Sequence, residues 1–181
     1  KSRGYVSVWN WIQRFGSSQI YKRKRISAFI IDETVIQIGN QRFWLWICIE
    51  PLHRSVLGVH ISKERNILAP QIFIRSLVSK YGKHSVYTDG GTWYPEACKI
   101  LKLKHYLHSP LEKSLIERVM QYFKDRTENF DDYYPCKQQK DDDCNIDHVY
   151  NWIELFVLMY NDIIVQKNRI SVIEGGVILL N

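Results

Sequence analysis

Three acidic side chains in this chain stand where their neighbours give little local reason for them. Asp32 interrupts the Ile- and Val-rich run Ala28-Phe29-Ile30-Ile31-Asp32-Glu33-Thr34-Val35-Ile36. Aspartate is disfavoured in strands, and a carboxylate buried there without partners is costly, so this one calls for a cation or a set of hydrogen-bond donors unless it sits at an exposed strand end. Glu33 points to the opposite face of an extended chain and is an alternative functional acid. Asp89 closes Val86-Tyr87-Thr88-Asp89-Gly90-Gly91. A carboxylate at the carboxyl end of a strand, followed by glycines, is how open α/β sheets present a ligand, although an ordinary Asp-Gly turn uses the same residues.

The third acid lies on a helix. Ile116, Val119, Met120 and Phe123 form its apolar stripe, and Glu117, Gln121 and Lys124 form a polar one that is either functional or simply solvated. Glu112 already has a structural task, because Ser109-Pro110-Leu111-Glu112 has the spacing of a capping box with proline at the first helical position. That leaves Glu117 as the better third carboxylate. Asp32 and Asp89 are 57 residues apart and Glu117 follows 28 later. If their elements are neighbours, the three carboxylates converge and repel one another unless divalent cations neutralise them, and such hard oxygen ligands suit Mg²⁺ or Mn²⁺.

The elements that must position these acids follow from periodicity. Ile26 to Gln37, Phe43 to Glu50 and Ser55 to Ile61 read as three sequential antiparallel strands, the first two joined at Gly39-Asn40. Asn66 to Tyr81 has a helical apolar period closed by Gly82, with Pro70 in its first turns. A short strand from His84 to Thr88, a helix from Pro95 to Leu101, a strand from His105 to Leu107 and a helix from Pro110 to about Phe123 complete a β-β-β-α-β-α-β-α order. A long helix from Asn145 to about Val165 follows an acidic, aromatic connection, and residues 167–181 carry no clear pattern. At the other end, Ser7 caps an amphipathic helix to Phe15 that is marginal alone and reads as the last helix of a larger helical module. The chain opens at Lys1 partway through that unit, so something upstream is expected.

Composition narrows the classes. Hydrophobic residues make up 45% and aromatics 13% of 181 residues, enough for one main core and far from a disordered composition. The longest apolar runs, Phe43 to Ile49 and Leu155 to Tyr160, fall short of the ~18–20 residues that cross a bilayer, and no signal segment opens the chain, which points to a soluble cytoplasmic protein without a membrane partner. Twenty-five Lys and Arg against 19 acids give +6, the balance of a protein facing a polyanion. Lys22, Arg23, Lys24 and Arg25 form a basic run that is either a nucleic-acid contact or a solvated linker. Cys48, Cys98, Cys136 and Cys144 read as reduced thiols. Cys136, Cys144 and His148 resemble zinc ligands, but the first gap is long and no fourth ligand is evident, so a structural role is the simpler reading. His105 and His108 read as packing or capping residues, and Trp44 and Trp46 as core.

Taken in order, Phe29-Ile30-Ile31-Asp32-Glu33-Thr34, Tyr87-Thr88-Asp89-Gly90-Gly91-Thr92-Trp93-Tyr94 and Ser114-Leu115-Ile116-Glu117-Arg118-Val119-Met120-Gln121-Tyr122-Phe123-Lys124-Asp125-Arg126 resemble the motifs of the DDE transposases of bacterial and archaeal insertion sequences. The catalytic core of that family is similar to those of retroviral integrases and the RNase H fold. The resemblance spans about Ile26 to Asn161, though the interval from Asp89 to Glu117 is shorter than is common in the wider superfamily. It implies an α/β, RNase H-like mixed sheet, three antiparallel strands then two shorter ones, flanked by helices. Residues 1–25 would be the end of a helix-turn-helix plus a basic linker, 26–166 the catalytic core and 167–181 an uncertain tail.

The resemblance also implies a metal-binding triad of Asp32, Asp89 and Glu117, holding two Mg²⁺ or Mn²⁺ ions, and a basic residue seven positions after the glutamate, here Lys124. The implied reaction is phosphodiester cleavage at insertion-sequence ends, then attack of the freed 3′-hydroxyl on target DNA by a homo-oligomer. Lys124 would contact a phosphate near the scissile bond. Arg118 and Arg126 would add backbone contacts, and Trp93 and Tyr94 would stack on an unpaired base or else pack in the core. Two competing readings are an RNase H-type nuclease and an inactive, DNA-binding transposase remnant.

Overall fold

The computed structural model describes residues 4–15, 25–38, 41–127 and 146–174. In chain order the elements are α1 (Tyr5–Phe15), β1 (Ala28–Ile38), β2 (Gln41–Glu50), β3 (Ser55–Ser62), α2 (Leu68–Tyr81), β4 (Ser85–Thr88), α3 (Trp93–Ile100), β5 (His105–Leu107), α4 (Pro110–Thr127) and α5 (Ile146–Glu174). One five-stranded sheet has the order β3-β2-β1-β4-β5. β1 pairs antiparallel with β2 and parallel with β4, so the longest strand lies at the centre. This is the α/β mixed sheet expected from the sequence, with the first and fourth strands side by side.

Both faces of the sheet are covered, which is why β1 and β2 read as almost continuous apolar runs. Strand alternation divides their residues between the faces. Ile30, Ile38, Leu45, Ile47 and Ile49 pack under α4 and α5, against Ile116, Val119, Phe123, Val149 and Ile153. Phe29, Ile31, Trp46 and Cys48 pack against Phe73, Ile74 and Leu77 of α2 and Tyr94 and Ala97 of α3. Each fully buried aliphatic side chain contributes roughly 1.5–3 kcal/mol, so the two layers together offset the entropy of ordering the chain.

Among the described residues the outer edge of β3 is closed by side chains rather than by another strand. The Asn161 amide spans both polar groups of Val56, accepting its N–H at 2.8 Å and donating to its carbonyl at 2.9 Å. Hydroxyls of Tyr81, Tyr150 and Tyr160 donate to the carbonyls of Leu57, Val59 and Arg54. The opposite edge, β5, is three residues long. Short or covered edges give other chains little to pair with.

The capping box forms as expected: the Ser109 N–H donates to Glu112 Oε2 at 2.6 Å, and the Glu112 N–H reaches Ser109 Oγ at 3.5 Å. The second bond is long. Ser109→Ala is therefore expected to cost about 0.5–1 kcal/mol in urea denaturation, the lower part of the capping range.

Several boundaries differ from expectation. α1 begins at Tyr5, and the Ser7 and Val8 N–H groups donate to the Gly4 carbonyl, so Ser7 lies inside the helix rather than capping it. α1 is not isolated: Ile12 is buried, and Gln13 Oε1 accepts from the Asn151 amide of α5 at 2.7 Å. α3 starts two residues before Pro95, whose missing N–H still falls in the first turn where no intrahelical partner exists. α4 runs on to Thr127 and α5 to Glu174, well into the stretch that carries no readable pattern. Among the described residues no helix is long and apolar enough to cross a membrane.

Candidate active site

The two aspartates are brought together by register. Ala28, Phe29 and Ile30 of β1 lie beside Ser85, Val86 and Tyr87 of β4, an offset of 57 residues, the same interval that separates Asp32 from Asp89. Two residues beyond the last paired rung, both side chains therefore stand at one height on the face that carries Ile30, Tyr87 and α4. β4 stops at Thr88 while β1 runs on to Ile38, so beyond this point no described strand occupies that flank of β1. Carboxylate oxygens of Asp32, Glu33 and Asp89 all lie within 4.8 Å of one another at this opening.

Backbone groups orient both aspartates. Asp32 Oδ1 accepts the Glu33 N–H at 2.9 Å, and Asp89 Oδ1 accepts the Gly91 N–H at 3.0 Å across Gly90, whose φ of 92° suits glycine. Among the described residues no donor engages Oδ2 of either. Burial, and then repulsion from Glu33, Asp89 and Glu117, push the Asp32 carboxyl up to about 6, against the opposing effect of the Glu33 N–H bond. A carboxyl destabilised by desolvation and by other carboxylates is one that a cation would relieve. The donors are all hard oxygens, which fits Mg²⁺ or Mn²⁺.

Glu117 stands on the exposed side of α4, one residue past the buried Ile116, with Lys113 Nζ at 4.0 Å. It faces the same side of the sheet and its charge is felt at Asp32, but its carboxylate lies outside the 4.8 Å cluster. Asp32 and Asp89 are thus assembled, with Glu117 at the margin.

Glu33 belongs to the other face and is fully engaged there. Its Oε1 accepts Arg65 Nε at 2.7 Å and Nη2 at 2.5 Å, and its Oε2 accepts the Tyr94 hydroxyl. The Arg65 guanidinium itself lies against two indoles, 4.6 Å from the centre of the Trp44 ring and 4.2 Å from that of Trp93. Arg65 is absent from the sequence-based candidates, and a basic residue beside Lys63 and Glu64 in the β3–α2 connection carries no local signal for its role. Trp93 lies at the first turn of α3, stacked on that guanidinium, while Tyr94 is buried.

The remaining candidates are dispersed. Lys124 is exposed two turns beyond Glu117, and Arg118 is exposed with its guanidinium on Ser114 Oγ at 3.0 Å. Arg25 is exposed; Lys22, Arg23 and Lys24 lie outside the described residues, as do Cys136, Cys144 and the side chain of Arg126. His148 packs edge-on against Trp9 at 4.9 Å. His108 and His105 fasten the carboxyl end of β4: a His108 Nε2–H donates to the Tyr87 carbonyl at 3.0 Å, and His105 Nε2 bonds Thr88 Oγ1 at 2.8 Å. Burial lowers both imidazoles, so they serve as neutral hydrogen-bonding groups beside Asp89.

Comparison with known proteins gives this geometry a family. The DDE domain family DDE_Tnp_IS240 matches residues 26–150. The uncharacterized protein MJ0017 of Methanocaldococcus jannaschii is 30% identical over 141 residues, covering 77% of this chain and 63% of the relative, so the chain spans less than two thirds of that protein's length. Among solved structures, the catalytic core domain of BIV integrase superposes with a TM-score of 0.52 at 18% identity, over 72% of this chain and 82% of that one. A chain of the simian T-cell lymphotropic virus intasome in complex with PP2A regulatory subunit B56 gamma gives 0.54 at 18% identity, over 83% of this chain and 60% of its own. At such identities the structural likeness is one of fold, while the family match covers most of the chain and includes all three acids. The chain belongs to the DDE domain family of transposases, built on the fold of retroviral integrase catalytic cores.

Proposed function

We propose that this domain cleaves DNA strands at the ends of an insertion sequence and joins the freed 3′-hydroxyl to target DNA. The observation that carries the reading is the meeting of Asp32 on β1 with Asp89, the residue that follows the adjacent parallel strand β4, within a DDE domain. Their carboxylates, with Glu117 from α4, would hold two Mg²⁺ or Mn²⁺ ions. When bound, such ions lower the pKa of the attacking hydroxyl or water and offset charge on the leaving oxygen. Asp32 and Asp89 hold their oxygens in place through backbone N–H groups, so little reorganisation accompanies loading. Glu117 approaches from an exposed helix face, and Lys124 two turns along supplies a cation for a phosphate near the scissile bond. Arg118, Arg126 and the run from Lys22 to Arg25 would track the backbone. The partners are the element's ends and target DNA, bound by a homo-oligomer wherever that DNA resides in the cell.

The test is a strand-joining assay with an oligonucleotide end bearing a 3′-hydroxyl and a supercoiled target. Joined product is expected with Mg²⁺ or Mn²⁺ and none with EDTA. Cleavage without joined product would favour an RNase H-type nuclease, and binding without either would favour a non-catalytic remnant. Glu117→Gln is expected to lower joining by about a hundredfold while leaving the melting temperature within about 1 °C, since the side chain is exposed.

A further inference from the structure

Glu33 raises a question of ligand choice. Its carboxylate is nearer to Asp32 and Asp89 than that of Glu117, within the same 4.8 Å cluster, and its side chain is fully buried. By proximity alone it would be the third ligand. Both of its oxygens are nevertheless committed, Oε1 to two nitrogens of Arg65 and Oε2 to the Tyr94 hydroxyl. The commitment is supported on both sides: the Arg65 guanidinium lies against the rings of Trp44 and Trp93, and Tyr94 is seated against Trp46 with ring centroids 5.9 Å apart. Residues of β2, α3 and the β3–α2 connection converge on a single carboxylate of β1 that faces away from α4.

We infer that Arg65 is a positioning residue whose guanidinium withholds Glu33 from the cations, so that the third ligand comes from α4. This rests on the proposed metal-dependent reading. A planar fork lying against two indoles suits the task, because it sets two nitrogens on one carboxylate oxygen from one direction. Without it, Glu33 keeps only the Tyr94 hydroxyl and is a buried carboxylate with no ion-pair partner beside two others, and the nearest compensation is the cation itself. The consequence is specific. Losing Arg65 makes the site bind metal more tightly and work less well, whereas mere loosening of the fold would weaken both.

The experiment measures Mn²⁺ binding by the electron paramagnetic resonance of free Mn²⁺, alongside the joining assay, on the full chain. Arg65→Met is expected to bind Mn²⁺ about tenfold more tightly and to join DNA at least tenfold more slowly, in line with the effect of residues that orient metal ligands. Arg65→Lys, with one donor group in place of the fork, is expected to tighten binding about threefold, and serves if the methionine variant does not fold. Adding Glu33→Gln to either variant is expected to return Mn²⁺ affinity to the wild-type value. Unchanged or weaker Mn²⁺ binding in the folded Arg65 variants, or tightening that survives Glu33→Gln, overturns the inference. Asp32→Asn is the separate control: if it binds Mn²⁺ as wild type does, the metal reading fails and the inference falls with it, whereas if it loses binding, the Arg65 variants alone decide.

Discussion

Replacing Asp32 by Asn is expected to abolish metal-dependent joining and at the same time to make the metal-free protein more stable. The two effects have one cause. Asp32 is placed on the central strand with Asp89 beside it and with Glu33 and Glu117 adding their repulsion, and burial is the largest influence on its carboxyl. Held at about 6 against an ordinary 3.8, the folded protein retains a proton that the unfolded chain gives up. Stability from this group is therefore complete below about pH 4 and declines as pH rises through 6. At pH 7.5 the ionised side chain costs the metal-free fold on the order of 2 kcal/mol. Asn keeps the shape and keeps an oxygen for the Glu33 N–H, but removes the charge. In EDTA at pH 7.5 the variant should melt about 4–8 °C above wild type, a gap that narrows towards pH 4. A variant melting at or below wild type would show that the protein itself already compensates the ionised carboxylate. In Mg²⁺ the same change would remove a proposed metal ligand, and several kcal/mol of transition-state stabilisation would go with it, a loss of about a thousandfold or more.

What could be read from the sequence was whatever depends on short range and on alternation. The placement of Asp32 and Asp89 was legible because a strand-borne acid among isoleucines and an acid before two glycines are each conspicuous, and the pairing of their strands then follows from the β-β-β-α-β order. The opposite facing of Glu33 was legible from the two-residue period of a strand, and the start of α4 from Ser109, Pro110 and Glu112. The partners of Glu33 were not. Arg65 lies 32 residues away and Tyr94 lies 61 away, with nothing in either local run to announce a contact made only when β1, β2 and α3 have assembled. The end of α5 was missed for the converse reason: its last turns have no apolar period to read, yet the helix continues to Glu174. Glu117 stands between these cases. Its helix and face were evident, but how closely its carboxylate approaches the aspartates depends on a tertiary placement that periodicity does not encode.

The largest stability loss is expected far from the acids, at Asn161. This residue was an ordinary member of a long helix in the sequence, yet it is fully buried, and its amide satisfies both backbone groups of Val56 at 2.8 and 2.9 Å. Among the described residues it stands where a sixth strand would pair at the outer edge of β3. Asn161→Ala leaves a buried N–H and a buried carbonyl without partners, each carrying a desolvation penalty of about 1–3 kcal/mol, so a total loss of roughly 2–4 kcal/mol is expected. The guanidinium chloride midpoint should fall at an unchanged slope, and the Val56 amide should be among those whose hydrogen exchange accelerates most. Asn161→Asp retains the acceptor for the Val56 N–H but sets an ionised oxygen against its carbonyl, and should be no more stable than the alanine variant. Because Val59 of β3 pairs with Ile47, and Ile47 with Asp32, the edge is two ladders from the site. Alanine at 161 should therefore leave joining near wild type at low temperature and abolish it at a temperature where wild type still works. Full activity up to the wild-type limit would mean that the Val56 groups find other partners and that α5 is not what closes this edge.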